Sequence, residues 1–576
     1  MYDLLIRHGT VVDGTGEPAR TVDVAVKDGL IVEVADTIEG EATETIDAEG
    51  KLVTPGFVDI HTHYDGQATW DDTLDPSAGH GVTTLVMGNC GVGFAPVRPG
   101  AQADLIQLME GVEDIPGIAL TEGMTWGWES FGEYLDVLDS RSFAVDIATQ
   151  VAHGPVRTYV MGERGTRNEA ATAEDIEAMR EIVADALEAG ALGFSTSRTL
   201  GHRAVDGEPV PGTFANEDEL FGIGQALADA GRGVFELAPA IFAEDAHDRV
   251  AEIEWMGRLS GAIERPVTFA MLQTDDDPDV WRLQMDRVEE AEELGADLRP
   301  QVAARPFGML IGLQTHHPFA LRPSFQDVRT RSLDEQVAHL RDPKVREAIL
   351  SEEDLPADPD SLWDGMAAVL QLSVDKLYEI GNPPDYEPAP DRSVAAQARA
   401  EGVDPLAKFY DLMLEDDGRA LLLFPSFNYS RGNQDDLREM MTHPSTILGL
   451  GDGGAHCGMI CDASIPTYTL THWARDRHRG EGLPLEWLIH KQTQETAELF
   501  GFTDRGTIEP GKRADLNVID HEHLTLRAPH LAHDLPAGGR RLLQQADGYD
   551  ATIVAGTVTR RAGTDTGARP GRLVRG

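Results

Sequence analysis

Thr54-Pro55-Gly56-Phe57-Val58-Asp59-Ile60-His61-Thr62-His63 reads as a short buried strand that ends in two histidines. Phe57, Val58 and Ile60 are strand formers bounded by a Pro-Gly turn, and along a strand residues i and i+2 point the same way. His61 and His63 therefore share a face, with Cα atoms about 6–7 Å apart. At that spacing two ring nitrogens converge on one divalent metal at about 2 Å each. A solvated edge strand would not carry the Phe-Val-x-Ile run, so the histidines belong to an interior wall.

Upstream, residues 1–53 contain short alternating segments at 3–8, 23–26, 30–34 and 43–47, separated by Gly, Asp and Pro turns, which predicts a small all-β unit. A related pattern returns at 506–520 and 549–555, so both ends of the chain are expected to build one β-sandwich. Between them, strand-like runs at 83–88, 145–152, 191–196, 233–238, 267–272, 298–303, 420–424 and 446–451 alternate with helical patterns such as 173–189 and 216–230. That alternation predicts parallel βα units. With the first strand there are nine candidates, one more than an eight-stranded barrel needs, and the surplus is expected between 309 and 425. An acidic, Pro-rich stretch from Ser351 to Asp391 reads as part of an insertion at about 315–415, either covering the barrel mouth or forming a plain surface excursion. The Arg-rich end, Arg560 to Gly576, reads as a solvated or partner-packing tail.

The expected division is 1–54 for the N-terminal part of the sandwich, 55–500 for the barrel and 501–576 for the C-terminal part and tail. A length of 576 residues accommodates these units. A net charge of −51 with 99 acidic residues argues against nucleic acid and anionic membranes as partners, because phosphates would be repelled. Three cysteines cannot form a disulfide framework, the N-terminus lacks a signal-peptide pattern, and no apolar run approaches membrane-spanning length. A cytoplasmic protein that assembles as a homo-oligomer is expected.

In a barrel of this kind the C-terminal ends of the strands carry the active site. There the sequence places Cys90 within Gly88-Asn89-Cys90-Gly91, His153 and Arg157 after Ala152, Ser195 within Gly193-Phe194-Ser195-Thr196, and Asp452 and His456 within Gly451-Asp452-Gly453-Gly454-Ala455-His456. Asp452, after an apolar run and before two glycines, has the position to touch both metal and water. His153 could polarise a scissile carbonyl or be a core histidine. His456 could donate to substrate or orient Asp452, and His316 and His317 read as loop residues.

These motifs, with Val58-Asp59-Ile60-His61-Thr62-His63, resemble the N-acyl-D-amino-acid deacylases, or D-aminoacylases, of the amidohydrolase superfamily. The resemblance covers nearly the whole chain apart from the acidic insertion. It implies a (β/α)8 TIM-type barrel with a small β-sandwich from both termini, and a zinc-dependent hydrolase in which a cysteine bridges where many relatives use a carboxylated lysine. No lysine occurs between Lys51 and Lys344, so strand four cannot supply that bridge, and Cys90 is the candidate.

The sequence also departs from the family. Where relatives carry histidines on strands five and six, this chain reads Val234-Phe235-Glu236-Leu237-Ala238 and Phe269-Ala270-Met271-Leu272-Gln273-Thr274. One zinc per chain on His61, His63, Cys90 and Asp452 is therefore expected, with a second site weak or absent. Glu236 could be a ligand, a charge partner or a hydrogen-bonded core carboxylate. Arg157, Arg198, Arg203, Arg305 and Arg431 either hold a substrate carboxylate or, as each one taken alone suggests, form ordinary surface ion pairs, with Ser195 and His456 as further substrate contacts. The expected reaction is attack of a metal-bound water on an N-acyl (D-)amino acid or related amide, with Asp452 and His153 catalytic. The alternatives are cyclic-amide hydrolysis, deamination, or a non-catalytic barrel serving in binding or assembly.

Overall fold

In the computed structural model the chain is described over residues 1–241, 246–357 and 362–576. Its central wall is built from parallel segments at Phe57–Asp59, Val82–Met87, Asp146–Thr149 with Val151–Ala152, Gly193–Ser197, Val234–Ala238, Val267–Ala270, Leu298–Val302 and Ile447–Leu448. Each pairs in parallel with the next. Just past the last and first segments, Asp452 N–H donates to His61 O at 3.0 Å and His63 N–H donates to Gly453 O at 2.8 Å. The architecture is an α/β barrel with an added domain.

The wall strands are buried almost throughout because both of their faces are covered. The helix Ala173–Ala189 shows how the covering layer is encoded. Thr172 and Asp175 form a reciprocal capping box, Gly190 ends the helix at φ 117°, and Met179, Val183, Ala186 and Leu187 form the stripe that it buries. Each of the larger side chains contributes about 1.5–3 kcal/mol by leaving water. The helix Glu217–Ala230 repeats the device, with Asn216 as its cap and Gly231 at its end.

The surplus strand is the run near 420. Leu422–Phe427 lies outside the parallel wall and pairs antiparallel with Phe307–Ile311, a strand that the sequence reading missed, and with Tyr378–Glu379. The segment between them is no plain excursion: its helices close over a separate core that includes Phe319, Leu340, Leu370, Phe409, Tyr410 and Met413. Of the acidic stretch, residues 358–361 lie outside the described residues. His317 is buried in this core, with its ring edge-on to Phe325 at 4.4 Å. It is therefore a packing residue of the insertion as well as a loop residue.

The chain ends meet in one nine-stranded sheet in which Leu516–Ile519 pairs with Leu52–Pro55 on one side and Tyr549–Val554 on the other. Leu4, Ile6, Val24, Val53, Leu516, Val518 and Ile553 share its core. A hairpin from the C-terminal part, His530–Leu535 with Gly539–Leu543, leaves this sheet, and Leu542 N–H donates to Cys457 O at 2.7 Å. The tail is exposed over much of its length but packs at Gly571 and Leu573. Its backbone pairs with Phe143 and Ile147 beside the third wall strand, and Arg572 N–H donates to Asp146 Oδ1 at 2.9 Å. Buried Arg505 and Arg513 grip the same aspartate. Among the described residues no helix is long and apolar enough to cross a membrane.

His80 links this scaffold to the chain ends and sets a pH limit. Its Nδ1 lies 2.9 Å from Thr467 Oγ1 and its Nε2 lies 2.9 Å from Gln544 O. Burial pushes it down from 6.5 to about 4. The unfolded chain therefore binds a proton that the folded chain refuses, so the stabilisation is present above pH 6.5 and is lost as pH falls toward 4. For this one group the loss is about 3 kcal/mol. Urea unfolding midpoints should fall steeply between pH 7 and pH 4.5, and less steeply in His80→Gln; equal slopes would contradict the assignment.

Candidate metal centre

The Gly88-Asn89-Cys90-Gly91 turn is shaped to put a thiol beside the histidine pair. Asn89 Nδ2 donates to Thr62 O at 3.1 Å and to Val86 O at 3.0 Å, and Asn89 Oδ1 accepts from Gln150. A Cβ on Gly91, at φ +70°, would come within 2.9 Å of the Thr196 backbone, so only glycine fits there. Cys90 itself adopts φ 56°. Asp452 and His456 are left-handed too, at φ 45° and 50°. Left-handed backbone costs a non-glycine residue about 1–2 kcal/mol.

His61, His63 and Cys90 bring one potential ligand atom each to within 4.8 Å of the others, and all three are buried. Cys90 Sγ lies 3.3 Å from His61 Nε2. Asp452 Oδ1 lies 3.4 Å from His61 Nε2 and 3.7 Å from His63 Nε2. On its far side, His61 Nδ1 donates to Gln301 Oε1 at 2.9 Å, which leaves Nε2 as the lone-pair nitrogen facing inward. Glu236 Oε2 accepts the Cys90 N–H at 2.9 Å, and its Oε1 stands 3.9 Å from His61 Nδ1.

The electrostatics call for a cation. Asp59 Oδ2, Glu236 Oε1 and both oxygens of Glu113 are buried without a hydrogen-bond partner. Burial pushes Glu236 up to about 8 and Asp59 up to about 7. The Cys90 thiol is driven well above its ordinary value by burial and by the carboxylates of Glu236, Glu113 and Asp452. Burial alone would raise Asp452, but His63, His61 and His456 hold it below the usual carboxylate range. Two imidazoles, a thiolate and a carboxylate form a donor set suited to zinc, and a divalent ion would neutralise the surplus of buried acid. The residues present fit a metal.

Other residues that the sequence singled out are placed differently. Both ring nitrogens of His153 are engaged, Nδ1 with Thr196 Oγ1 at 2.9 Å and Nε2 with Glu219 Oε1 at 3.1 Å. With no N–H left for a substrate oxygen, His153 is a hydrogen-bonded core residue at the start of the helix His153–Met161. Arg157 donates Nε to the same Glu219 oxygen at 2.8 Å and Nη1 to Gly165 O, so it braces a helix. Ser195 Oγ donates to Gly88 O and accepts from Gly91 N–H, holding the cysteine turn and facing no substrate. Arg198 is paired with Glu252, Arg305 with Asp462, and Arg431 with Asp279 and Asp436, while Arg203 caps backbone carbonyls. His456 does reach the site: its side chain is 22% exposed, with Nε2 3.7 Å from Glu113.

Three neighbours were missed. Gln301 carried a usable signal, since it is a polar residue near the C-terminal end of a wall strand. His202, in the loop after the fourth wall strand, has Nδ1 3.0 Å from Ser197 Oγ, and burial with His456 and His63 nearby pushes it down to about 3. Glu113 carried no signal in a chain with 99 acidic residues. A cavity of about 510 Å³ opens between residues 96–108, the helix His153–Met161 and the 204–211 loop, but none of His61, His63, Cys90 and Asp452 lines it.

The model of the amidohydrolase family matches residues 44–560. An uncharacterized protein of Mycobacterium tuberculosis (strain ATCC 25618 / H37Rv) is 29% identical over 592 residues, covering 98% of this chain and 92% of that protein. A D-aminoacylase of Alcaligenes xylosoxydans xylosoxydans is 27% identical over 567 residues, covering 94% of this chain and 95% of the relative. Among solved structures, the N-acyl-D-glutamate deacylase of Bordetella bronchiseptica, complexed with zinc and a phosphonate inhibitor, superimposes with a TM-score of 0.64 at 22% identity over 100% of both chains, a likeness of fold.

Proposed function

The chain belongs to the amidohydrolase family, and from that membership we propose that it is a metal-dependent hydrolase of N-acyl amino acids, with the D series as its substrates. The observation that carries the reading is the convergence of His61, His63, Cys90 and Asp452 where the ends of the first, second and last wall strands meet. These four residues would hold one zinc ion. Glu236, with one free oxygen, is the residue available to extend the site. The three cysteines are unpaired, which supports a reducing, cytoplasmic compartment. The backbone hydrogen bonds between 61–63 and 452–453 support reading the wall as a closed (β/α)8 barrel.

When bound, the ion supplies Lewis acidity, which acidifies water and draws charge from an amide carbonyl. The protein's part begins with Asp452, whose carboxylate is ionised and sits at the focus of both histidines. It accepts the proton of the attacking water as the new C–O bond forms, then returns that proton to the nitrogen as the C–N bond breaks, releasing a carboxylic acid and an amine. His456, partly exposed at the mouth, is placed to meet the substrate. Gln301 fixes His61, and the buried wall around Cys90 and Glu236 excludes competing water.

The test is release of amine from N-acetyl-D-amino acids, their L enantiomers and hydantoin-type cyclic amides by zinc-loaded protein. Turnover of the D compounds above the other two is expected. Ring opening alone would move the reading to cyclic amides, and inertness toward all three with zinc bound would overturn it.

A further inference from the structure

The two histidines of the centre are supported unequally. His61 rests on the neutral amide of Gln301. His63 Nδ1, buried without a hydrogen-bond partner, lies 3.3 Å from Oε1 of a carboxylate from another part of the chain, Glu113. Glu113 is the last residue of the helix Gln102–Glu113, which buries Leu105, Leu108, Met109 and Val112 along one face and so fixes where its end lies.

The surroundings hold the carboxylate in place. Glu113 is 1% exposed, and neither of its oxygens has a hydrogen-bond partner. Its backbone oxygen accepts from His456 N–H, and Asp114, next in the chain at φ 50°, accepts from Gly458 N–H at 2.8 Å through Oδ2. The helix end is thereby tied to the loop that follows Asp452. Glu113 Oε2 faces His456 Nε2 at 3.7 Å. A buried carboxylate with no donor is costly unless a cationic or polarised partner stands beside it. A histidine whose other nitrogen is drawn to a metal is such a partner, because coordination makes the remaining N–H a stronger donor.

We propose that Glu113 is the positioning residue of the metal centre, accepting the Nδ1–H of His63 and so fixing its Nε2 toward Cys90 and Asp452. The inference rests on His63 being a metal ligand, as in the function proposed above. It assigns the outer carboxylate to a helix after the second wall strand, and it makes His63 the more strongly donating of the two imidazoles.

The test is the zinc dissociation constant, measured on full-length protein by competition with a chromophoric chelator, for wild type, Glu113→Gln, Glu113→Asp and His63→Ala. Glutamine keeps the shape of the side chain and removes its charge, so Glu113→Gln should weaken zinc about 10- to 100-fold while circular dichroism stays unchanged. Glu113→Asp, which retains the charge on a shorter arm, should recover part of the loss. Should Glu113→Gln fail to fold, Glu113→Asp loaded with cobalt decides the matter through its visible absorption bands. Displaced bands support the role, and bands identical to wild type oppose it. Unchanged zinc affinity in Glu113→Gln, with binding abolished in His63→Ala, would overturn the assignment of Glu113 alone. Unchanged affinity in His63→Ala would instead remove the metal site on which the inference rests.

Discussion

Asp452→Asn is expected to reduce kcat on an N-acyl-D-amino acid by about 10³-fold while zinc content stays at the wild-type level. The substitution keeps size and shape and one oxygen that can still ligate, and it removes the charge and the basicity. Despite burial, His63, His61 and His456 keep the carboxylate ionised, the form able to take a proton, and in doing so make it a weaker base than a free aspartate. The backbone should tolerate the change, because asparagine accepts the left-handed φ of 45° at this position at least as readily as aspartate. Gly451 should tolerate nothing larger, since a Cβ there would sit 2.6 Å from Asp59 Oδ2. Loss of turnover with metal retained separates proton transfer from ligation. Full activity would show that another group moves the proton, and loss of both metal and activity would show that Asp452 serves mainly as a ligand.

What was legible depended on whether local pattern or long-range packing placed the residue. The histidine pair was readable because strand periodicity forces His61 and His63 onto one face. Cys90 and Asp452 were readable because each follows an apolar run and sits among glycines at a strand end. His153 satisfied the same positional rule and misled. It begins a helix, and Thr196 and Glu219, from two other elements, consume both of its nitrogens. The arginines took the ion-pair role that was the alternative to substrate binding: in so acidic a chain, a guanidinium near the wall finds a carboxylate or carbonyl before it can wait for a substrate. Glu113 lay beyond local reading, because its burial depends on where a helix end docks against the loop 456–458. The insertion's core was hidden likewise, since its strand partners are far apart in sequence, Phe307–Ile311 with Leu422–Phe427.

Metal content should be about one zinc per chain in wild type and close to zero in His61→Ala/His63→Ala, by elemental mass spectrometry on protein purified without chelators. The double variant removes two of the four convergent donors and leaves Cys90 and Asp452, which cannot by themselves complete a tetrahedral site. It also leaves Asp452, Glu113 and Glu236 buried without their histidine neighbours, so its thermal midpoint should fall below that of wild type stripped of metal, and added zinc should restore nothing. Wild type, by contrast, gains stability with free zinc as RT ln(1 + [Zn]/Kd), about 4 kcal/mol at a thousandfold excess over Kd. Two zinc ions per wild-type chain would assign the second to Glu236, whose Oε1 has no protein partner. In that case Glu236→Gln should return the count to one and leave the first ion in place. A wild-type chain that takes up none, even from added zinc, would mean that the surplus of buried acid is balanced by protons, and a barrel with the architecture of a hydrolase would be left without its means of activating water.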